Sequence, residues 1–138
     1  MPKNNHKTVL MADDDQEDCM LATEAFRDSG VKASFSCVED GMELLDYLSV
    51  HSDPESKGLP ALILLDLNMP RKDGRTALVE IKSQPTLRHI PIVILTTSRE
   101  PRDIDFASQA GADSFITKPP TFDEWVEMMK SLAEKWLG

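Results

Sequence analysis

Ala61-Leu62-Ile63-Leu64-Leu65-Asp66-Leu67-Asn68-Met69-Pro70 decides how this chain is read. Five consecutive apolar residues run into one aspartate, and a turn begins after it. A run apolar on both faces predicts a strand buried between two layers, the habit of parallel α/β sheets. Asp66 then stands at the carboxyl end of that strand, where open α/β sheets gather their ligands. An aspartate that merely opens a turn would look the same in isolation. The other strands carry the decision.

Upstream, residues 8–12 form a short apolar strand that ends in Asp13-Asp14-Asp15. A helix over 16–29 follows, with Met20, Leu21, Ala25 and Phe26 near helical spacing and Gly30 suited to close it. Its acidic face, Glu17, Asp18, Glu24 and Asp28, reads as solvated. Residues 33–38 alternate as a second strand, and Glu39-Asp40-Gly41 turns into a helix carrying Met42, Leu44, Leu45, Tyr47 and Leu48. The polar stretch 51–58 is a loop, with His51 a surface side chain.

Downstream, Asn68 to Gly74 is a structured turn, and a helix from about Arg75 to Gln84 buries Ala77, Leu78 and Ile81 before Pro85 stops it. Residues 91–95 are another apolar strand, closed by Thr96-Thr97-Ser98. Pro101 suits the first turn of a short helix ending at Gly111. Residues 113–117 form the fifth strand, ended by Lys118-Pro119-Pro120. Thr121 and Glu124 have the capping-box spacing, and the last helix puts Phe122, Trp125, Val126, Met129, Leu132, Ala133 and Trp136 on one stripe. Five strands alternating with five helices predict a parallel sheet covered on both faces, with right-handed crossovers.

The totals agree with one domain. A chain of 138 residues, 41% apolar and 28% charged, can bury a real core. Residues 1–7 read as a polar lead-in and 8–138 as a single domain with no output domain. The formal charge of -9, from 24 acids against 15 bases, argues against a nucleic-acid partner, which needs a basic face. No apolar run is long enough to span a bilayer and no signal peptide opens the chain, so the expected location is the cytoplasm. Cys19 and Cys37 lack metal-ligand spacing and read as buried free thiols in a reducing compartment.

In parallel strands, Asp13 and Asp14, Asp66, Thr96 and Lys118 all emerge at one rim. Three carboxylates held close repel one another unless something compensates. A hard divalent cation does so, and carboxylate oxygens with water suit magnesium. Magnesium and a lysine together clamp phosphoryl oxygens, and a carboxylate among them can act as the nucleophile that becomes an aspartyl phosphate.

Asp13-Asp14, Asp66 within Leu-Leu-Asp-Leu-Asn-Met-Pro, Thr96 and Lys118-Pro119 together resemble the receiver domain of two-component response regulators. Thr96 follows Asp66 by 30 residues and Lys118 follows Thr96 by 22, spacings that match that family. The resemblance spans essentially the whole chain. It implies a flavodoxin-like (βα)5 three-layer sandwich, CheY-like, with strand order 2-1-3-4-5. It implies Asp66 as phosphoacceptor from a sensor histidine kinase. Asp13, Asp14, Asp66 and the Asn68 backbone carbonyl would hold Mg2+ or Mn2+. Lys118 would contact the phosphoryl group across a cis bond to Pro119, and Thr96 would be the switching hydroxyl. Thr97 would screen access of water and phosphodonor, and Phe115 stands where many relatives have a switching tyrosine.

The Arg71-Lys72-Asp73-Gly74 turn, the Thr96-Thr97-Ser98 run and the long loop at 51–58 look most like stand-alone regulators paired with phytochrome-type sensor kinases. That implies output through a downstream protein or an onward phosphotransfer protein, and catalysis only of the domain's own phosphorylation and dephosphorylation. It also implies a homodimer through the fourth helix, fifth strand and fifth helix, with Ile104, Phe106 and Phe115 as contacts. A monomer with these residues in its core stands as an equal alternative.

Three rivals share parts of the pattern. A haloacid-dehalogenase-type phosphatase would use Asp13 and Asp15, but it leaves Asp66 without a task and has no acidic pair after Lys118. A pseudo-receiver would keep the fold without the phosphorylation, yet every key side chain is present. A flavodoxin needs a phosphate-cradling loop after the first strand, where this chain has three aspartates.

Overall fold

The computed structural model describes residues 7–51, 58–69 and 73–137. The lead-in at 1–6, the loop at 52–57 and the turn residues Pro70, Arg71 and Lys72 lie outside the described residues. In chain order the elements are β1 (Thr8–Ala12), α1 (Gln16–Asp28), β2 (Ser34–Val38), α2 (Gly41–Val50), β3 (Leu62–Leu65), α3 (Gly74–Ser83), β4 (Ile92–Thr96), α4 (Pro101–Gln109), β5 (Ser114–Thr117) and α5 (Phe122–Trp136). Every strand pair is parallel, and the sheet order is β2-β1-β3-β4-β5.

The apolar runs go to the centre of the sheet because only there are both faces covered. β3 and β4 are buried at every position, whereas the edge strands β2 and β5 are half-buried. The period-two alternation splits the core. Leu10, Ile63, Leu65, Ile92 and Ile94 face α2, α3 and α4, meeting Leu44, Leu48, Leu78, Ile81 and Ala107. Val9, Met11, Leu62, Leu64, Val93 and Leu95 face α1 and α5, meeting Ala22, Phe26, Trp125, Met129 and Leu132. Each fully buried leucine contributes about 1.5–3 kcal/mol.

The helix ends follow their local chemistry. Asp15 caps α1 by accepting the N–H groups of Glu17 and Asp18, and Asp40 and Asp73 cap α2 and α3 in the same way. Gly30 (φ 77°) and Gly111 (φ 104°) sit just past the ends of α1 and α4 in the left-handed conformation that glycine adopts freely. Thr121 accepts the Glu124 N–H at 3.2 Å, and its hydroxyl meets the Glu124 carboxylate at 3.0 Å.

Three expectations are corrected. Met20 (63% exposed) and Met42 (39%) lie outside the core, because Ala22, Ala25, Leu44 and Leu48 already fill the faces of α1 and α2 that meet the sheet. Cys19 and Cys37 are not free thiols but form a disulfide, their Cα atoms 6.3 Å apart. The crossover from β1 through α1 to β2 lays the first turns of α1 against β2, a proximity that the spacing of 18 residues does not reveal. His51 is half-buried, stacked on Tyr47 with ring centroids 4.2 Å apart, not a plain surface side chain.

Candidate functional site

Strand register builds the site. Ala12 lies opposite Leu65 and Thr96 opposite Thr117, so Asp13, Asp66 and Lys118 are each the next residue out at the carboxyl rim. Backbone bonds continue the ladder past the strand ends: the Asp66 N–H donates to the Ala12 carbonyl at 3.0 Å, and the Lys118 N–H to the Thr96 carbonyl at 2.8 Å. Asp13 and Asp66 are buried, 1% and 7% exposed, while Asp14 is open to solvent. Ligand oxygens of Asp13, Asp14 and Asp66 all lie within 4.8 Å of one another.

Lys118 answers this charge. Its ammonium stands 2.6 Å from Asp13 Oδ2, 2.7 Å from Asp18 Oδ2 and 3.3 Å from Asp66 Oδ2. Burial pulls an ammonium toward the neutral form, but the close contacts with Asp13 and Asp18 and the charge of Asp66 outweigh it, so Lys118 is held above its ordinary range. Burial pushes the Asp13 carboxyl up to about 6 and the neighbouring Asp66 adds to that, while the contacts with Lys118 and the Asp15 N–H oppose it. Asp13 Oδ2 is buried and makes no aligned hydrogen bond, so its contact with Lys118 is an ion pair.

These three carboxylates fit a hard divalent cation. They are oxygen donors around one point, one of them is solvent-facing, and the net negative charge is only partly neutralised by one lysine. Asn68, the fourth expected ligand, is exposed, and its N–H donates to Asp66 Oδ1 at 3.3 Å.

Thr96 is fully buried at the end of β4, and its Oγ1 accepts the Ser98 N–H at 3.4 Å. Thr97 is exposed. Phe115 is half-buried and packs against the core on the side of α2, α3 and α4. No cis peptide occurs among the described residues, so the Lys118–Pro119 bond is trans, against expectation. Lys118 reaches Asp13, Asp18 and Asp66 from a trans backbone, and trans is the default by about 0.5–1 kcal/mol before proline.

Two features lay beyond the sequence reading. Asp18, assigned to a solvated face, bonds Lys118 instead, because helical side chains lean toward the N-terminus and so toward this rim. A polar chain also links the loop after β3 to α4. Arg75 donates to Asp103 at 2.9 Å and to Asn68 Oδ1 at 3.4 Å, and the Ser98 hydroxyl donates to Asp103 at 2.6 Å. Asp15, which a phosphatase would need in its metal site, is occupied instead as the α1 cap.

The bonds from Ser98, then Arg75, hold the Asp103 carboxyl below its ordinary 3.8. A depressed native pKa stabilises the fold above 3.8 and loses that contribution as pH falls through the native value. Asp103→Asn is therefore expected to cost about 1 kcal/mol at neutral pH, with the gap from wild type closing below about pH 4 in urea titrations.

Comparison with known proteins gives the family of the chain. A family model described as "Response regulator receiver domain" matches residues 9–130. Response regulator Rcp1 of Synechocystis sp. is 33% identical over 134 residues, covering 97% of this chain and 91% of its own length. A probable methanogenesis regulatory protein, FilR2 of Methanothrix harundinacea, is 35% identical over 130 residues, covering 94% of this chain and 83% of its own. Among solved structures, the phosphorylated cyanobacterial phytochrome response regulator RcpA superposes with a TM-score of 0.85 at 39% identity, over 96% of this chain and 95% of that one. The Mn(2+)-bound form of Rcp1 gives 0.81 at 32% identity, over 95% and 94%.

Proposed function

The chain belongs to the response regulator receiver domain family, and from that membership we propose that it is a regulator switched by phosphorylation of Asp66. The observation that carries this reading is the reach of Lys118 to both Asp66 and Asp13 at a rim where Asp14 completes a carboxylate triad. A carboxylate oxygen of Asp66 attacks phosphorus of a phosphohistidine on a sensor kinase. The O–P bond forms, the P–N bond breaks, and the imidazole leaves with a proton from solvent.

Asp13, Asp14 and Asp66, with the Asn68 carbonyl, would hold Mg2+, which supplies charge neutralisation for the transferring oxygens. Lys118 offers ammonium protons to the same oxygens. Asn68 holds the second oxygen of Asp66 in place through its N–H. Thr96, at the end of β4, turns its hydroxyl toward the phosphoryl group, and Phe115 moves with it. Thr97, being exposed, screens the approach of water and donor. The domain thus catalyses only its own phosphorylation and hydrolysis.

The output face is that of α4, β5 and α5. Ile104 and Phe106 are 41% and 37% exposed, and a groove of about 620 Å³ runs between β5 and α5, lined by Ile116, Met128, Leu132 and Trp136. This face meets a downstream target, a phosphotransfer protein or a second copy of the chain. Sedimentation of phosphorylated and unphosphorylated protein separates dimer from monomer. The resemblance to regulators of phytochromes makes a phytochrome-type kinase the proposed donor, acting in the cytoplasm.

Intact mass after incubation with acetyl phosphate and Mg2+ is the test. One phosphoryl group is expected on the wild type, with none on Asp66→Asn and none without the metal. An adduct that persists in Asp66→Asn would end the assignment.

A further inference from the structure

We infer that Asp18 is the positioning residue for Lys118, the anchor that keeps its ammonium beside Asp66 while Asp13 and Asp66 take on a cation and a phosphoryl group; this rests on the reading of Asp66 as phosphoacceptor. A lysine has three N–H donors. Here the short contacts go to Asp13 at 2.6 Å and Asp18 at 2.7 Å, and the longest, 3.3 Å, goes to Asp66. Asp13 and Asp66 belong to the carboxylate triad, so both change partners when a cation and a phosphoryl group arrive. Asp18 is outside that triad. Of the three acids touching Lys118, it is the one with no second task.

The fold places Asp18 for this. Asp15 caps α1 and accepts the Asp18 N–H at 3.2 Å, which fixes the helix start one turn from the rim. Asp18 therefore sits in the first turn, where a carboxylate suits the positive end of the helix dipole and its side chain leans back over the site. The Asp18 side chain is 22% exposed and that of Lys118 only 8%, so water competes little for the ammonium. Without Asp18 the flexible stem of Lys118 follows whichever acid is free, and its aim is lost.

The test joins two measurements on the full chain. In metal-free protein, the side-chain ammonium of Lys118 should give an observable 1H–15N signal in the wild type, lost or exchange-broadened in Asp18→Ala. With Mg2+ and acetyl phosphate, Asp18→Ala should slow phosphoryl uptake about tenfold, the effect expected for one charge-assisted bond. Asp18→Glu should recover part of the rate. Added to Lys118→Ala, Asp18→Ala should slow it no further, because its partner is already gone.

An unchanged ammonium signal with an unchanged rate would overturn the inference. So would a faster rate, which would make Asp18 a restraint, and so would additive slowing with a lowered melting point, which marks a purely structural role. If the wild type itself takes up no phosphoryl group, the reading of Asp66 fails. The ammonium signal then decides the Asp18–Lys118 anchor on its own.

Discussion

Replacing Gly74 by alanine lowers the melting midpoint by roughly 10 °C, corresponding to about 3 kcal/mol in a chain of this size. Ordinarily a glycine-to-alanine change within a helix stabilises it, by about 0.4–1 kcal/mol through the unfolded state. Position 74 reverses the sign because of what lies beside it. A Cβ added there presses into the carbonyl oxygen of Asp66, and comes within 2.8 Å of the Leu67 Cα and 3.0 Å of the Asp66 carbonyl carbon. These are backbone atoms, and the Gly74 N–H ties the same segment down by donating to the Leu67 carbonyl at 3.0 Å. None of them can swing aside as the end of a side chain would. Since the displaced atoms belong to Asp66, phosphoryl uptake should fall even at 10 °C, where the variant stays folded. Gly30→Ala is the control. Its cost, about 1 kcal/mol, comes from a positive φ with nothing within 4 Å, and the site is untouched. Calorimetry and intact mass read the two effects separately. An unshifted midpoint for Gly74→Ala would mean that the start of α3 gives way, and the proposed clash would be wrong.

The residues that the sequence made legible share one property: each ends a strand or directly follows one. Asp13, Asp66, Thr96 and Lys118 are placed by the parallel register, and apolar runs show where strands stop. The sheet order itself came from family resemblance, since alternating elements do not choose among edge positions. What stayed hidden lies on helices and loops. Asp18 sits among Glu17, Glu24 and Asp28, and no periodicity separates an acid that reaches a buried lysine from one that meets water. Arg75 and Asp103 lie 28 residues apart across the α3–α4 gap, and Ser98 joins Asp103 through a turn, so only the packed fold brings the three together. The cysteine pair failed for the same reason. A spacing rule for metal sites says nothing about a helix lying back on a neighbouring strand.

Lys118→Met should cost on the order of 3 kcal/mol in magnesium-free protein at pH 7, the penalty for stranding a buried charge after removing its partner. Methionine keeps much of the volume, so packing contributes little of this. The Asp13 side chain is fully buried and its nearest compensating charge is this lysine. The dependence on pH has a definite sign. The Asp13 carboxyl is raised by burial to about 6, above its ordinary 3.8, so it favours the fold below 3.8 and ceases to as pH rises through about 6. Contact with Lys118 is one of the influences holding that value down. Without the lysine the carboxyl rises further, and the loss extends to higher pH. The gap between variant and wild type should therefore widen from pH 4 to pH 8. Lys118, raised in the native state, contributes fully below its ordinary 10.5, so its own titration does not enter this window. Adding Mg2+ or Mn2+ should narrow the stability gap, because a cation among Asp13, Asp14 and Asp66 supplies the missing positive charge. Phosphoryl uptake should stay depressed by about 10²–10³, since no cation replaces the ammonium donors at the phosphoryl oxygens. Urea titrations with and without the metal, beside uptake rates, separate the two roles. A variant as stable as the wild type in the metal-free state at pH 8 would show that Lys118 is not what balances the charge of Asp13.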